Sequence, residues 1–243
     1  MDDASEQPFR RALSGAPVAH LPSGLVPSRM PLPGRHVTLE PIDPALHATE
    51  LYDAGHGSGT ALRVWDYLPT GPWPDEAAFI AWLRTQAALF DRIVFALRLM
   101  ATGRAVGMAS YLDIHPLDGV IEIGGIWFAP DVQRTRAATE ALFLLLSHAM
   151  DGLGYRRMQW RCNSLNQKSR MAARRLGFRF EGVFHNHMVV KGRNRDTAWY
   201  SILDKEWPEV RDLITAWLDD GNFDAEGVAR QSLTVMMDAR GGR

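Results

Sequence analysis

The segment Val132–Ala141, VQRTRAATEA, lies between two strongly apolar stretches of the chain. VIEIGGIWFAP precedes it and LFLLL follows, a pattern that predicts a buried strand leading directly into a buried helix. A helix N-terminus presents unpaired N–H groups and the positive end of the peptide dipole, which together attract anions. With two threonines and two arginines at the same junction, the segment favours a phosphate site. A capped polar turn with solvated arginines is the alternative.

Composition limits the classes of protein that the chain can belong to. The 243 residues are 46% hydrophobic and 23% charged, as expected for one large globular domain. A formal net charge of −1 argues against a general nucleic-acid or membrane binder. The single cysteine, Cys162, excludes an intramolecular disulfide and a multi-cysteine zinc site. The acidic N-terminus does not resemble a signal peptide, and we therefore expect a cytoplasmic protein.

The order of predicted elements indicates an α+β domain around one mixed sheet flanked by helices. We expect an extended proline-rich arm over residues 1–33, the domain over 34–219 and a polar tail over 220–243. Hydrophobic periodicity and turn residues predict strands at 36–42, 93–100, 105–114, 120–128, 157–163, 180–192 and 195–204. The same criteria predict helices at 43–55, 75–90, 137–150, 166–177 and 207–219.

Residues 133–138, QRTRAA, resemble the acyl-CoA-binding loop of the GNAT N-acetyltransferases, written Gln/Arg-x-x-Gly-x-Gly/Ala. Downstream, NQKSRMAARRLGFRFEGV at 166–183 is similar to the Asn-x-x-Ser…Leu-Gly-Phe…Glu-Gly signature of the RimJ/RimL-type branch, which acetylates ribosomal-protein N-termini. RDTAWYSILDKEW at 195–207 resembles the closing strand of that branch. The similarity covers residues 34–207. It implies a single GNAT-like domain, a twisted central sheet with splayed central strands, acetyl-CoA as cosubstrate and no metal.

The resemblance also implies which residues hold the cofactor. They are the strand segment Ile126, Trp127 and Phe128, the loop and helix start Gln133, Arg134, Thr135, Arg136, Ala137, Ala138 and Thr139, and the downstream pair Asn166 and Ser169. We expect Asn166 to bind the pantetheine amides. Arg136 replaces the usual middle glycine of the loop, so we expect ordinary helical backbone there and a guanidinium beside the phosphates. Gly124-Gly125 predicts a bulge in the preceding strand. The basic residues Lys168, Arg170, Arg174 and Arg175 either help to bind phosphate or form a solvated helix face.

Two general bases are candidates for removing the proton of an acceptor amine. Glu122 is a carboxylate in an otherwise apolar strand, where desolvation raises a carboxyl pKa towards useful values. The alternative is a carboxylate that faces solvent or pairs with an arginine. His185 and His187 alternate along one face of VFHNHMVV, and His187 is the second candidate. In the branch that the chain resembles, a carboxylate lies on this strand, but Met188 occupies that position here.

The sequence also leaves the identity of the general acid open. Many members of the family use a tyrosine in the helix before Leu-Gly-Phe, and Ala173 occupies that position here. Ser169 is the nearest hydroxyl, and the branch that the chain resembles uses a serine at this place. Cys162 is interpreted as a buried core thiol.

The acceptor site is predicted from the loop RVWDYLPTGPWP at 63–74, where the family builds one wall of its acceptor cleft. Trp65, Asp66 and Tyr67 are the candidate substrate-binding residues, with the Asp66 carboxylate holding an ammonium group. We therefore expect direct acetyl transfer to the α-amino group of a peptide N-terminus or an aminoacyl compound. The protein would be a monomer or homodimer without a membrane or nucleic-acid partner. The alternatives are acetylation of a small-molecule amine, such as an antibiotic or polyamine, and a non-catalytic acetyl-CoA-binding module.

Overall fold

The computed structural model describes residues 14–18, 21 and 25–240. Its strands are β1 Leu32–Pro33, β2 Val37–Pro41, β3 Ile93–Leu99, β4 Ala105–His115, β5 Val120–Phe128, β6 Arg157–Asn163, β7 Arg179–Val190 and β8 Arg193–Leu203. Its α-helices are α1 Pro44–His56, α2 Glu76–Ala88, α3 Arg136–Ser147, α4 Gln167–Arg175, α5 Trp207–Leu218 and α6 Leu233–Asp238. A 3₁₀ turn spans Ala61–Trp65, and a π-helical turn, His148–Gly152, continues α3. Among the described residues no helix is long and apolar enough to span a bilayer.

The strands form one mixed sheet in the order β1-β2-β3-β4-β5-β6-β8-β7. Neighbouring strands are antiparallel except for β5 and β6, which are parallel and joined by the α3 crossover. The parallel pairing covers only Val120–Glu122 against Arg157–Gln159, so the two strands separate after Glu122. The α+β class, the mixed sheet and the splay of its central strands are therefore confirmed.

Helices cover both faces of the sheet, and strand alternation decides which side chains meet them. Ile121 and Ile123 of β5 point into the main core, together with the apolar faces of α3 and α5. Trp127, after a bulge, points into the second core beneath α1 and α2, together with Phe79. Glu122 lies between the two isoleucines in the chain and therefore faces the side opposite to α3.

Helix ends follow the capping residues. The Asp43 carboxylate accepts a hydrogen bond from the N–H of Ala45 at the start of α1, as the sequence predicts. The helix expected over 75–90 ends at Ala88, and Phe90, which the prediction included in the helix, lies beyond its end and is fully exposed. The helix expected over 137–150 begins one residue earlier, because Thr135 caps it, and changes to π-helical turns after Ser147.

The described ends of the chain pack onto the domain. Arg29 donates hydrogen bonds to the carbonyl groups of Ala87 and Leu89, which holds the N-terminal segment against the end of α2. Leu233 and Met237 of α6 are buried in the main core, within the segment expected to be a polar tail. Residues 1–13, 19–20, 22–24 and 241–243 of the expected arm and tail lie outside the described residues. The division at 33 and 219 stays a prediction.

Candidate active site

A β-bulge interrupts β5 where it separates from β6. Ser110 of β4 pairs with Gly124, but Met108 pairs with Trp127, so two residues of β5 oppose a single residue of β4. Gly125, the first of those two, has a φ of +60°, a conformation that favours glycine. The bulge predicted from Gly124-Gly125 is confirmed. A bulge redirects the strand and leaves backbone polar groups unpaired in the ladder, here beside the splay.

Glu122 is the buried carboxyl group at this point, with 2% of the residue exposed. Its Oε2 lies 2.6 Å from Nε of Arg161, and Nη2 of Arg161 lies 2.6 Å from Oδ2 of Asp113. Burial raises the pKa of Glu122 to about 7, although the positive charge of Arg161 acts in the opposite direction. The carboxyl group can therefore exchange a proton near neutral pH, as a general base must.

Gly124 allows the Glu122 carboxylate to lie against the backbone immediately before the bulge. A Cβ atom at Gly124 would lie 2.7 Å from Oε1 of Glu122 and 2.6 Å from Cδ1 of Leu112, both too close. The absence of a side chain at this position brings the Glu122 carboxyl group next to the backbone groups that the bulge frees.

The loop before α3 is held by its own side chains. Thr135 caps α3, since its Oγ1 accepts from the N–H of Ala138 at 3.2 Å and donates to the carbonyl group of Val132 at 2.7 Å. The amide nitrogen of Gln133 donates to the carbonyl group of Phe128 at 3.0 Å. The N–H groups of the first turn that follows have no intrahelical acceptor. The loop is thus ordered around a helix N-terminus of the kind that binds phosphate.

Two guanidinium groups lie beside this helix start. Nη2 of Arg175 donates to Oγ1 of Thr139 at 3.0 Å, and the guanidinium stacks over the ring of Trp217 at 4.9 Å. Burial and the positive charge of Arg134 lower the pKa of Arg175 to about 10. Arg170 turns away from α3 and donates to the hydroxyl of Tyr200. Like charges brought together beside unpaired N–H groups favour an anionic ligand such as a pyrophosphate group.

The Arg136 side chain does not lie in the loop. It donates to the carbonyl group of Leu218, pairs with Oδ1 of Asp220 at 2.7 Å and stacks over the ring of Phe223 at 4.2 Å. The expected helical backbone at Arg136 is confirmed, since α3 begins there. The expected position of its guanidinium beside the phosphates is corrected, because the segment after α5 supplies a carbonyl, a carboxylate and an aromatic ring instead.

We predict that Arg136→Met lowers the free energy of unfolding by about 1–2 kcal/mol, because it removes a charged hydrogen bond and a cation–π contact. Affinity for acetyl-CoA should change less than threefold. Urea unfolding and calorimetric titration measure the two quantities. Arg35→Met is the matched control, since Arg35 also pairs with Asp220 but is exposed. A tenfold loss of acetyl-CoA affinity at an unchanged free energy of unfolding would instead indicate that Arg136 contacts the phosphates of the cofactor.

Helix α4 begins with the pair expected to meet the pantetheine arm. Oδ1 of Asn166 caps the helix by accepting from the N–H of Ser169 at 3.1 Å. Asn166 therefore caps α4 through its oxygen, and its amide nitrogen takes no part in the cap. Its contact with the pantetheine amides stays a prediction. Oγ of Ser169 accepts from Nε1 of Trp160 at 3.1 Å and lies beside the buried Cys162 thiol, whose pKa is raised by burial. The role of Ser169 as a general acid stays a prediction.

The two histidines of β7 do not share one environment. The strand bulges between Phe184 and Met188, and Asn186 has a φ of +50°, so the expected alternation along one face is wrong. The His185 side chain is 79% exposed and pairs with Asp196. His187 is half-buried, with Nδ1 3.0 Å from Oγ1 of Thr197 and its ring against Trp199. Because the Arg161 guanidinium also lies over Trp199, at 5.3 Å, His187 is on the same side of the sheet as Glu122.

The loop expected to form the acceptor wall contributes less than its composition indicates. Trp65 is 1% exposed, donates from Nε1 to the carbonyl group of Gly55 and packs against Trp127. It is a core residue, so its assignment to the substrate is wrong. Asp66 and Tyr67 remain at the surface. Nζ of Lys191, in the β7–β8 turn, donates to the carbonyl group of Trp65 at 2.8 Å and joins the loop to the hairpin.

The strand segment expected to pair with the pantetheine arm has buried side chains at Trp127 and Phe128 and a half-buried one at Ile126. Ile126 and Phe128 pack in the main core and Trp127 in the second. Any contact that this segment makes with a cofactor would therefore be through its backbone.

Comparison with known proteins agrees with this geometry. The family model described as acetyltransferase (GNAT) domain matches residues 36–179. YdaF of Bacillus subtilis, provisionally named a ribosomal N-acetyltransferase, is 30% identical over 109 residues, or 45% of this chain and 59% of that protein. The match therefore spans less than two thirds of the relative's length.

Two solved structures resemble the whole domain. A GCN5-related N-acetyltransferase from Brucella melitensis is 43% identical with a TM-score of 0.84, covering 87% of this chain and 96% of that one. A GNAT-family acetyltransferase from Chromobacterium violaceum is 41% identical with a TM-score of 0.71, covering 81% and 100%. Since the family model alone spans more than half of the residues, the chain belongs to the GNAT acetyltransferase family.

Proposed function

We propose that the protein transfers the acetyl group of acetyl-CoA directly to the α-amino group of a peptide N-terminus or an aminoacyl compound. The observation that carries this proposal is the buried Glu122 carboxyl group, with a pKa near neutrality, beside the bulge at which β5 leaves β6. The provisional name of the Bacillus subtilis relative, a ribosomal N-acetyltransferase, supports the same class of acceptor.

The residues of the chain fit acetyl-CoA, which supplies the activated acetyl thioester. The backbone of Ile126–Phe128 would hold the pantetheine arm, and the start of α3 with Arg134 and Arg175 would hold the phosphates. Backbone N–H groups at the bulge would stabilise the negative charge that develops on the thioester oxygen. Ser169 would donate a hydrogen bond to the departing sulfur.

Glu122 would receive the proton that the amine loses. As the new C–N bond forms and the C–S bond breaks, the nitrogen proton would pass to the carboxylate and CoA would leave as the thiolate. The sulfur would then take up a proton from water, and the Glu122 carboxyl group would return its proton to solvent. The pKa of an α-amino group is about 8 and that of a lysine side chain about 10.4. Near pH 7, where Glu122 becomes a competent base, part of an α-amino group is therefore already the neutral nucleophile, whereas lysine and polyamine nitrogens are almost wholly protonated. Asp66 and Tyr67 would border the acceptor site.

An acceptor panel with thiol release as the readout tests this proposal. We expect peptides and aminoacyl compounds with a free α-amine to exceed spermidine, lysine side chains and aminoglycosides by at least about tenfold in kcat/KM, because more of an α-amine is neutral near pH 7. The same peptides with a blocked N-terminus are the control. Preference for polyamines or aminoglycosides would assign the chain to small-molecule acetylation. Tight acetyl-CoA binding without turnover of any amine would instead indicate a non-catalytic module.

A further inference from the structure

Arg195 and Glu122 lie on the same side of the sheet, the side opposite to α3. In β8, Ala198, Tyr200 and Ile202 point into the main core, so the alternate residues Arg195 and Trp199 point to the opposite side. The side chain of Arg195 is half-buried, and Glu122 and Arg161 are both close enough to influence its charge.

The Arg195 guanidinium has no anionic partner in the part of the chain that the structure describes. Its buried Nε forms no hydrogen bond. Glu122 and Asp113, the nearby carboxylates, are both ion-paired with Arg161. Asp196, the next residue, instead accepts from the backbone of Asn186 and pairs with His185.

Burying an unpaired guanidinium group costs free energy unless a ligand supplies a negatively charged partner. Burial lowers the pKa of Arg195, which reflects the cost of removing its positive charge from water. The phosphates of the cofactor do not meet this need in the proposed geometry, because they lie at the start of α3, which packs on the other face of the sheet. The acceptor approaches on the side of Glu122 and is the remaining source of negative charge.

We propose that Arg195 forms an oxyanion subsite of the acceptor cleft, so that the favoured amines carry a carboxylate near the reactive nitrogen. This inference rests on the proposed function and adds the charge of the substrate to it. The carboxylate is either that of an acidic side chain near the N-terminus of a peptide, as in the proposed function, or that of a free amino acid, which would add a small molecule to the acceptors. An arginine can bind either one through two parallel hydrogen bonds.

Matched acceptors that differ in one charge test the subsite. One pair is alanine and alaninamide, and the other is Ala-Asp and Ala-Asn, both with amidated C-termini. For the wild-type protein we expect the anionic member of at least one pair to have a 10–100-fold higher kcat/KM. A preference of this size corresponds to about one hydrogen bond between charged groups. The pair that shows the preference identifies the source of the carboxylate.

Arg195→Gln should bring that ratio to about one, mainly by raising the KM of the anionic acceptor, while the KM of acetyl-CoA stays unchanged. Arg195→Lys, which retains a positive charge, should recover part of the preference. The control is Arg104→Gln, which removes an exposed arginine that pairs with Asp53. Calorimetric titration of the same pairs into the CoA complex gives a readout that does not need turnover.

A wild-type ratio near one for both pairs, or a ratio that survives Arg195→Gln, overturns the subsite. In either case acetylation of α-amines by the wild-type protein would still support the proposed function. Selective binding of an anionic acceptor without acetyl transfer would instead support the subsite and contradict the proposed reaction.

Discussion

Glu122→Gln is expected to lower kcat by about 10²-fold, the usual contribution of a general base. Glutamine matches the shape of glutamate and can still contact Arg161, but it cannot accept a proton at neutral pH. The KM of acetyl-CoA should change little, because the proposed phosphate site lies at the start of α3. Steady-state kinetics with an α-amino peptide measure both parameters.

Two comparisons decide whether Glu122 acts as the base. His187→Asn removes the second candidate for the base. It should leave kcat within about threefold of wild type, since Glu122 is the proposed proton acceptor. Asp113→Asn keeps the base but removes a negative charge that raises its pKa, so the pH at which activity rises should move downwards. If Glu122→Gln remained near wild type while His187→Asn lost activity, the base would be His187.

Arg175→Met should weaken acetyl-CoA binding by about 10–100-fold, because one charge-assisted contact to phosphate is lost from a partly buried site. Binding of acetyl-pantetheine, which has no pyrophosphate, should be unaffected. Arg174→Met is the matched control, since Arg174 is the adjacent residue but is exposed. Equal losses for both ligands would mean that Arg175 supports α4 rather than the phosphates.

The architecture follows from local patterns that the sequence displays directly. Periodicity predicts strand β5, with its isoleucines on either side of Glu122, with the bounds observed, and the apolar helix α3 within three residues. The bulge was predicted because two adjacent glycines in a strand rarely serve regular pairing. The burial of Glu122 does not follow from the strand alone, since its side chain points to the face opposite to the isoleucines. It depends on Arg161 of β6, which pairs with the carboxylate, and on Leu112 of β4, which lies opposite in the sheet.

The errors arise where a contact joins distant parts of the chain. Arg136 meets Asp220 and Phe223, and Lys191 meets the carbonyl group of Trp65, and no local pattern shows such partners. Trp65 occupies a proline-rich loop, yet Trp127 and the aromatic residues of α2 provide a core beneath it. The bulge in β7 depends on Asp196 of the neighbouring strand, which accepts from the backbone of Asn186.

Arg195 was not identified from sequence for a related reason. An arginine in a turn-and-strand segment is usually solvated or paired. Only the assembled sheet shows that Glu122 and Asp113 are both ion-paired with Arg161. The available signal was the excess of basic residues in KGRNR at 191–195.

The pH dependence of kcat/KM, measured with an acceptor amine that is uncharged throughout the range, tests the role of Glu122 most directly. The pKa of Glu122 is raised to about 7, so the base is protonated and inactive at lower pH and becomes competent as the pH rises through that value. We predict that wild-type activity rises about tenfold per pH unit below pH 7 and then levels, and that Glu122→Gln loses this rise. A wild-type profile that is flat from pH 5.5 to 8, or an unchanged rise in Glu122→Gln, would contradict the account.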